Sequence, residues 1–158
     1  MKWLALGFVF ALGCASAPTP APPPVEEAPG DDVREAVFRY LFAHNASEMG
    51  DKAEVYCLEI EDKKDPSAGF LTRFSQNTPP AVMSSDCDRD PAHGVHSRSL
   101  GKKGLVFNIE AIRKQGPDSA EVDAGYYEAG LSASGETLTL ERQNGVWVVT
   151  ADRRRWIS

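Results

Sequence analysis

The sequence contains no apolar run long enough to cross a bilayer. The longest such run, residues 3–13, has about eleven residues, whereas a membrane-spanning helix needs about 20. A short apolar run behind a single basic residue, here Lys2, is typical of a signal peptide. We therefore expect residues 1–13 to be a signal peptide and the remainder of the chain to be soluble.

Recognised catalytic signatures are also missing. The sequence has no G-x-S-x-G, H-E-x-x-H, P-loop or G-x-G-x-x-G motif, and these motifs mark common hydrolases, zinc proteases and nucleotide-binding loops. The net charge of −6 disfavours free nucleic acid as a partner, because the phosphate backbone attracts basic surfaces. These absences favour a non-catalytic domain without a cofactor.

Cysteine is scarce, with three residues in the chain, and the first of them follows the apolar run directly. Residues 11–14 read ALGC, which resembles the lipobox of bacterial lipoproteins. The resemblance implies cleavage before Cys14, transfer of a diacylglycerol to its sulfur and acylation of its amine. Small Gly13 suits the cleavage site, whereas Ala11 departs from the usual leucine.

The lipobox resemblance also implies a location. Ala15 and Ser16 follow the cysteine, without an aspartate, and in enteric bacteria that pattern implies sorting to the outer membrane, facing the periplasm. Two or three acyl chains on Cys14 would hold the protein stably, since one chain alone binds a membrane only reversibly. The alternative is a plain secretory signal whose apolar region happens to contain a cysteine.

A linker follows the lipobox. Residues 15–30 are dominated by proline and alanine, a composition that favours extended polyproline II at about 3.1 Å per residue. We therefore expect residues 14–30 to be a lipidated, semi-stiff stalk a few tens of ångströms long, and residues 31–158 to form a single folded domain. A disordered tail without a spacing role is the alternative interpretation of the linker.

The two other cysteines are Cys57 and Cys87. An exported protein occupies an oxidising compartment, where an even pair of cysteines favours a disulfide. The alternative is that Cys57 is buried as a small apolar residue and that Cys87 is free.

Two helices are expected near the start of the folded domain. An amphipathic helix begins at Asp32, whose spacing to Glu35 matches a capping box, and it ends near Asn45. A shorter helix comes next, with Asp65 as its cap and Pro66 at its first position.

Strands dominate the rest of the domain. The pattern of residues 53–61 predicts a strand, and residues 105–158 contain several alternating runs, the last two separated by the hairpin signal Asn144–Gly145. Residues 75–104 are rich in proline and glycine, which indicates a loop with two short strands. The sequence therefore predicts an α+β fold, in which the helices pack on a curved antiparallel β-sheet that ends in a meander.

This order of elements loosely resembles the NTF2-like and cystatin-like superfamilies, in which helices pack into a bent antiparallel sheet. Separately, residues 120–158, with GYY at 125–127 and a terminal WIS, are similar to the tails of uncharacterised secreted bacterial proteins. The first resemblance implies a fold and the second implies no activity, because a fold does not define a function.

In an NTF2-like cone, carboxylates and tyrosines on the sheet line a ligand pocket. The candidates for such a pocket here are Tyr126, Tyr127, Glu128 and Trp147. Alternate residues of a strand share a face, so Asp123 and Tyr127 should point one way and Tyr126 and Glu128 the other. The alternative is a sheet with one wet face, whose glycines mark a bulge.

Two polar clusters carry weaker signals. His93 and His96 lie among acidic residues, as ligands of zinc or copper do, but the nearby proline and glycine indicate a loop, and we expect no metal site. At the end of the chain, Arg153 and Arg155 should share one face of a strand and Arg154 the other, together with Trp156. These arginines suit an anionic surface or, as we favour, edge charges that discourage strand pairing.

Taken together, these features predict a membrane-anchored envelope lipoprotein whose small domain binds a protein or another envelope component without catalysis. One alternative is an NTF2-like ligand-binding or enzymatic domain with its pocket in the sheet. A second alternative is an immunity or inhibitor lipoprotein, which a small acidic domain permits.

Overall fold

The computed structural model describes residues 29–45, 47 and 52–158. They form an eight-stranded, mostly antiparallel sheet with two α-helices, in agreement with the predicted α+β class. The predicted signal peptide, Cys14 and the linker up to residue 28 lie outside the described residues.

Helix α1 begins the described domain, and strands make up most of the remaining chain. The elements are α1 (Asp31–His44), β1 (Val55–Glu59), α2 (Ala68–Thr72), β2 (Ala81–Met83), β3 (Cys87–Asp90), β4 (Gly94–Ser97), β5 (Lys103–Lys114), β6 (Ser119–Ala129), β7 (Ser132–Gln143) and β8 (Val146–Ile157). The main path through the sheet is β2-β1-β5-β6-β7-β8, and β4 pairs with both β3 and β5. Strands β5 to β8 form the predicted meander.

The last hairpin of the meander turns at the predicted dipeptide. Asn144 and Gly145 have φ values of 53° and 84°, the left-handed conformation that a two-residue hairpin needs at both central positions. Asparagine and glycine tolerate this conformation better than other residues, which explains why the sequence signal was accurate here.

Strand β1 departs from the expected antiparallel sheet. It runs parallel to both of its neighbours, β2 and β5. Parallel strands need a crossover connection of about a dozen residues or more, and α2 lies in the connection between β1 and β2. The long segment after β1 thus returns the chain to the end of the sheet from which β1 started.

Helix α1 begins without the predicted capping box. Gly30, with φ of 95°, precedes Asp31 and provides no side-chain cap. Asp32 lies inside the first turn and accepts a hydrogen bond of 2.9 Å from Arg73. Glu35 accepts a second one, of 2.7 Å, from the same guanidinium. The two acidic residues therefore tie α1 to the end of α2 instead of capping their own helix.

Helix α2 is capped by a different residue from the one predicted. The backbone N–H of Phe70 donates to the hydroxyl of Ser67 at 3.1 Å. Asp65 accepts hydrogen bonds from Ser84 and from the backbone N–H of Ser85, and these bonds lower the pKa of its carboxyl against the effect of burial. Asp65 therefore fixes the turn after β2, a long-range contact that local spacing does not reveal.

The two helices cover one face of the sheet, here called the helix face. Aromatic side chains occupy the space between them and the sheet, and their rings lie 4.6 to 6.3 Å apart. Packed aromatic rings bury large apolar areas and favour tilted or edge-to-face contacts. This aromatic group consists of Phe38, Phe42, Tyr56, Phe70, Phe74 and Phe107.

The loop predicted around Cys87 is strand β3, and it forms a hairpin with β4, which lies in one of the two short strands predicted for this region. Strand β3 reads CDRD, and its charged residues Asp88 to Asp90 are exposed, so the sequence there lacks the apolar alternation of a strand. A second, smaller core lies on the opposite face of the sheet, here called the outer face. It contains Cys57, Cys87, Val95 and Val106.

The predicted disulfide between Cys57 and Cys87 is present. It joins the buried strand β1 to the first residue of β3, across a sequence separation of 30 residues. Because a crosslink lowers the entropy of the unfolded chain, the disulfide compensates for the few apolar side chains in the hairpin.

Removing the disulfide should destabilise the domain. We expect the Cys57→Ala/Cys87→Ala variant to lose about 2–5 kcal/mol of unfolding free energy, measured by urea denaturation at equilibrium. Cys14→Ala is the matched control, with an unchanged urea midpoint. Two titratable thiols at these positions in the oxidised, folded protein would contradict the pairing.

Candidate functional site

Alternate residues of strand β6 point to opposite faces of the sheet. Val122, Ala124 and Tyr126 pack in the aromatic core on the helix face. Tyr127 packs against the disulfide core on the outer face, and Asp123 bonds to a neighbouring strand away from the aromatic core. The period-two pattern of the sequence therefore assigns these residues to the correct faces.

A cleft of about 390 Å³ opens beside Tyr127. Residues from β1, β3, β5, β6, β7 and β8 contribute to it, together with the short turn after β1. Its lining comprises Glu59, Lys63, Arg89, Asn108, Ile109, Glu110, Tyr126, Tyr127, Ala133 and Trp156. We call it the outer cleft and treat it as the candidate functional site.

Trp156 lies directly on the backbone of the neighbouring strand. It pairs with Gly135, and a Cβ placed on that glycine would come within 2.6 Å of Cε2 of the indole. Gly135 in turn pairs with Gly125. The absence of a side chain at Gly135 allows the indole to approach the sheet, while 44% of Trp156 stays exposed.

Two bulges in β8 determine which side chains reach the outer cleft. The register shifts between Thr139 and Leu140 and again between Gly135 and Glu136. The second shift leaves Arg155 as the extra residue, so Arg155 and Trp156 both lie over Gly135. The prediction that Trp156 shares a face with Arg154 is therefore wrong, because a bulge breaks strict alternation.

Both acidic residues of the outer cleft are paired with arginines. Glu59 forms an ion pair with Arg89, and Glu110 forms one of 2.8 Å with Arg155 at the rim. Lys63 and Asn108 also line the cleft, and neither side chain has a hydrogen-bond partner within the described part of the chain. The lining thus holds two acidic and two basic residues, and it offers an unpaired amide and an unpaired ammonium group.

A polar cluster adjoins the cleft on the same face. Asp123 accepts hydrogen bonds from Arg113 at 2.6 and 3.0 Å and from Thr137 at 2.7 Å. The guanidinium of Arg155 lies 3.7 Å away. These contacts, with Arg113 foremost, overcome the effect of burial and lower the pKa of Asp123 to about 2. Asp123 therefore holds Arg155 beside the cleft as an ionised carboxylate.

The helix face carries a second group of polar residues towards the end of α1. Glu128 is buried and accepts hydrogen bonds of 2.6 Å from both Ser47 and Ser132. On the last turns of α1, Tyr40 donates a hydrogen bond of 3.1 Å to Asp152 of β8. These bonds tie the helix to the sheet at positions where apolar packing ends.

Glu136 lies buried on this face, with 7% of its surface exposed. One carboxylate oxygen accepts a hydrogen bond from Ser134, whereas Oε2 is buried and has no hydrogen-bond partner among the described residues. Burial raises the pKa of Glu136, and the nearby charge of Asp152 raises it further. Burial likewise raises the pKa of Tyr126.

The four residues predicted to share a pocket do not line a single cleft. Tyr126 and Tyr127 both contribute to the outer cleft. Glu128 sits at the bulge that ends β6 and bonds to Ser47, just beyond α1. Trp147 lines a separate cleft of about 320 Å³, between the start of α1 and the β7–β8 turn. Trp156 is not among the residues that the sequence predicts for the pocket. Its only sequence signal is that it is an aromatic residue in a strand whose neighbouring strands contain glycines.

The two histidines of the β3–β4 hairpin lie apart from the outer cleft. His93 is in the turn, with Nδ1 3.1 Å from Asp90, and His96 is in β4. Over the described ranges, no three histidine, cysteine or acidic side chains are gathered closely enough to hold a metal ion.

Comparison with known proteins gives no family assignment. No protein-family model, curated protein or solved structure matches this chain. Within the ranges that the structure describes, no helix is both long and apolar enough to cross a membrane.

Replacing Glu136 by glutamine should stabilise the domain at alkaline pH. A carboxyl whose pKa is raised by folding stabilises the folded state while protonated, and that contribution is lost as the pH rises through the folded pKa. We expect Glu136→Gln to gain about 1 kcal/mol over the wild type at pH 8 and nothing at pH 4, by urea denaturation. Glu141→Gln, an exposed change of the same charge on β7, is the control. An equal gain at both pH values would contradict this assignment.

Asp123 should show the opposite pH dependence. Its lowered pKa contributes stability above about pH 4, and this contribution is lost as the pH falls towards the folded value. We expect Asp123→Asn to cost about 1–2 kcal/mol at pH 7, because partly exposed ion pairs contribute modestly, and to match the wild type near pH 2. A cost that is independent of pH would show that packing, not charge, is lost.

Proposed function

We propose that this protein is a lipid-anchored lipoprotein of the bacterial envelope, whose small domain binds a ligand in the outer cleft without catalysis. The lipobox resemblance of residues 11–14 supports the anchor. The outer cleft supports the binding role, because a concave site with aromatic residues and a few polar groups is typical of ligand binding.

The position of the cleft relative to the start of α1 is the observation that carries this proposal. The start of α1 lies near the tip of the β7–β8 hairpin, because Asp32 and Gly145 both line the separate cleft that also contains Trp147. Ser47, just beyond the other end of α1, bonds to Glu128 close to the β6–β7 turn. Helix α1 is 14 residues long, or about 21 Å, and it separates these two ends of the sheet.

The outer cleft lies towards the end of the sheet that is remote from the linker. Tyr127 and Ala133 pair with each other next to the β6–β7 turn, and both line the cleft. A chain tethered through Cys14 and the residues before α1 would therefore present the cleft away from the membrane. The Pro-rich linker would extend this reach by a few tens of ångströms.

The helix face favours a second candidate function. Glu136 has a buried oxygen without a partner among the described residues, and it lies close enough to Tyr126 to influence its titration. A buried carboxylate near a tyrosine is a feature of sites that bind or transform small ligands, as expected of an NTF2-like domain. A ligand that shifts the NMR signal of Glu136, and leaves the Trp156 indole unchanged, would favour this candidate.

The anchor can be tested through Cys14. In the bacterial host, the wild-type protein should incorporate labelled palmitate and sediment with membranes, whereas Cys14→Ala should do neither. Cys57→Ala/Cys87→Ala, which also removes thiol groups, should still be lipidated. Unchanged sedimentation of Cys14→Ala would refute lipid anchoring at this residue.

A further inference from the structure

We propose that the outer cleft binds an uncharged sugar ring of a glycan, stacked on the indole of Trp156. The inference rests on the proposed function of the cleft as a ligand site and specifies the chemical class of the ligand. Three features of the cleft support it: the exposed indole, the internal pairing of both acidic residues and the unpaired polar groups.

The indole of Trp156 is the aromatic platform, the surface on which we expect a sugar ring to stack. Its Nε1 and Cε2 atoms lie close to the backbone at Gly135, where a Cβ would come within 2.6 Å of Cε2, and 44% of the residue stays exposed. The exposed part of this flat aromatic ring borders the cleft that Trp156 lines. The carbon-bound hydrogens of a sugar ring form a matching flat surface, so stacking removes apolar area from water on both sides.

Both acidic residues of the cleft already have partners within the protein, so a neutral ligand disturbs no internal ion pair. The pair Glu59–Arg89 and the pair Glu110–Arg155 are already made within the protein. A charged ligand bound at either pair would have to displace an internal partner and be desolvated as well. The remaining charged group, Lys63, is exposed to solvent, where an ion pair contributes little. A neutral ligand leaves both pairs intact, and their outward-facing lone pairs and protons can still bond to hydroxyl groups.

The unpaired polar groups match hydroxyl chemistry. Asn108 lines the cleft, and its amide has no partner within the described residues, so it can both donate and accept hydrogen bonds. A sugar hydroxyl also both donates and accepts. The ammonium of Lys63 supplies further donors. The cleft volume of about 390 Å³ lies at the small end of ligand pockets, which suits a short stretch of glycan.

Direct binding tests this assignment. The full chain, held in a detergent without sugar groups, is titrated with chitotetraose and with maltotetraose, and the indole N–H signals are followed by NMR. We expect a saturable shift of the Trp156 signal with at least one of these glycans. The affinities of the variants are compared by isothermal titration calorimetry, because variants at Trp156 lack its indole signal. Trp156→Ala should weaken binding about tenfold or more, Trp156→Phe should weaken it less, and Asn108→Ala should weaken it severalfold.

Trp147→Ala is the matched control. Trp147 is an aromatic residue of the same strand but lines the separate cleft at the start of α1, so its replacement should leave the affinity unchanged. Equal affinity of Trp156→Ala and the wild type would overturn the inference, as would an equal loss in Trp147→Ala. The Trp156→Phe variant keeps the test valid if Trp156→Ala does not fold.

A peptide probe separates failure of the inference from failure of the proposed function. The same titration is made with an uncharged octapeptide of alternating leucine and serine. If the peptide shifts the Trp156 signal and neither glycan does, the cleft is a ligand site and the sugar assignment is wrong. If neither the glycans nor the peptide shift that signal, the sugar assignment is rejected and the binding role of the cleft loses its support.

Discussion

The packing of α1 on the helix face is the constraint on which the rest of the structure depends. Phe38 and Phe42 of α1 contact aromatic rings from α2 and from β1 and β5, so one helix brings distant parts of the chain together. Because this packing occupies the helix face, the other face of the sheet is available for a second role. The disulfide core and the outer cleft share that face.

Local patterns predicted the elements whose formation depends on their own residues. The apolar stripe of α1, the alternation along β5 to β8 and the turn at Asn144–Gly145 each arise from a short stretch of chain. The parallel pairing of β1 and the β3–β4 hairpin could not be predicted in this way. The parallel pairing of β1 depends on a long crossover. The hairpin is joined to β1 by a disulfide between residues 30 positions apart, and charged β3 has no strand signal of its own.

The candidate site was predicted in part for the same physical reason. Tyr127 was placed on the correct face because β6 alternates regularly up to that residue. The prediction that Trp156 shares a face with Arg154 is wrong, since the bulge at Arg155 shifts the alternation of β8 by one residue. Bulges depend on the register between two strands, and a single strand's sequence does not encode them visibly.

The same bulges explain how β8 can end in exposed apolar residues. Strand β8 forms one edge of the sheet, and an exposed edge with apolar side chains such as Trp156 and Ile157 favours aggregation. Two bulges interrupt the regular ladder of backbone groups that another strand would need, and the charges of three consecutive arginines also discourage pairing. The features that protect the edge also rotate Trp156 onto Gly135, so protection of the edge and construction of the aromatic platform have one structural cause.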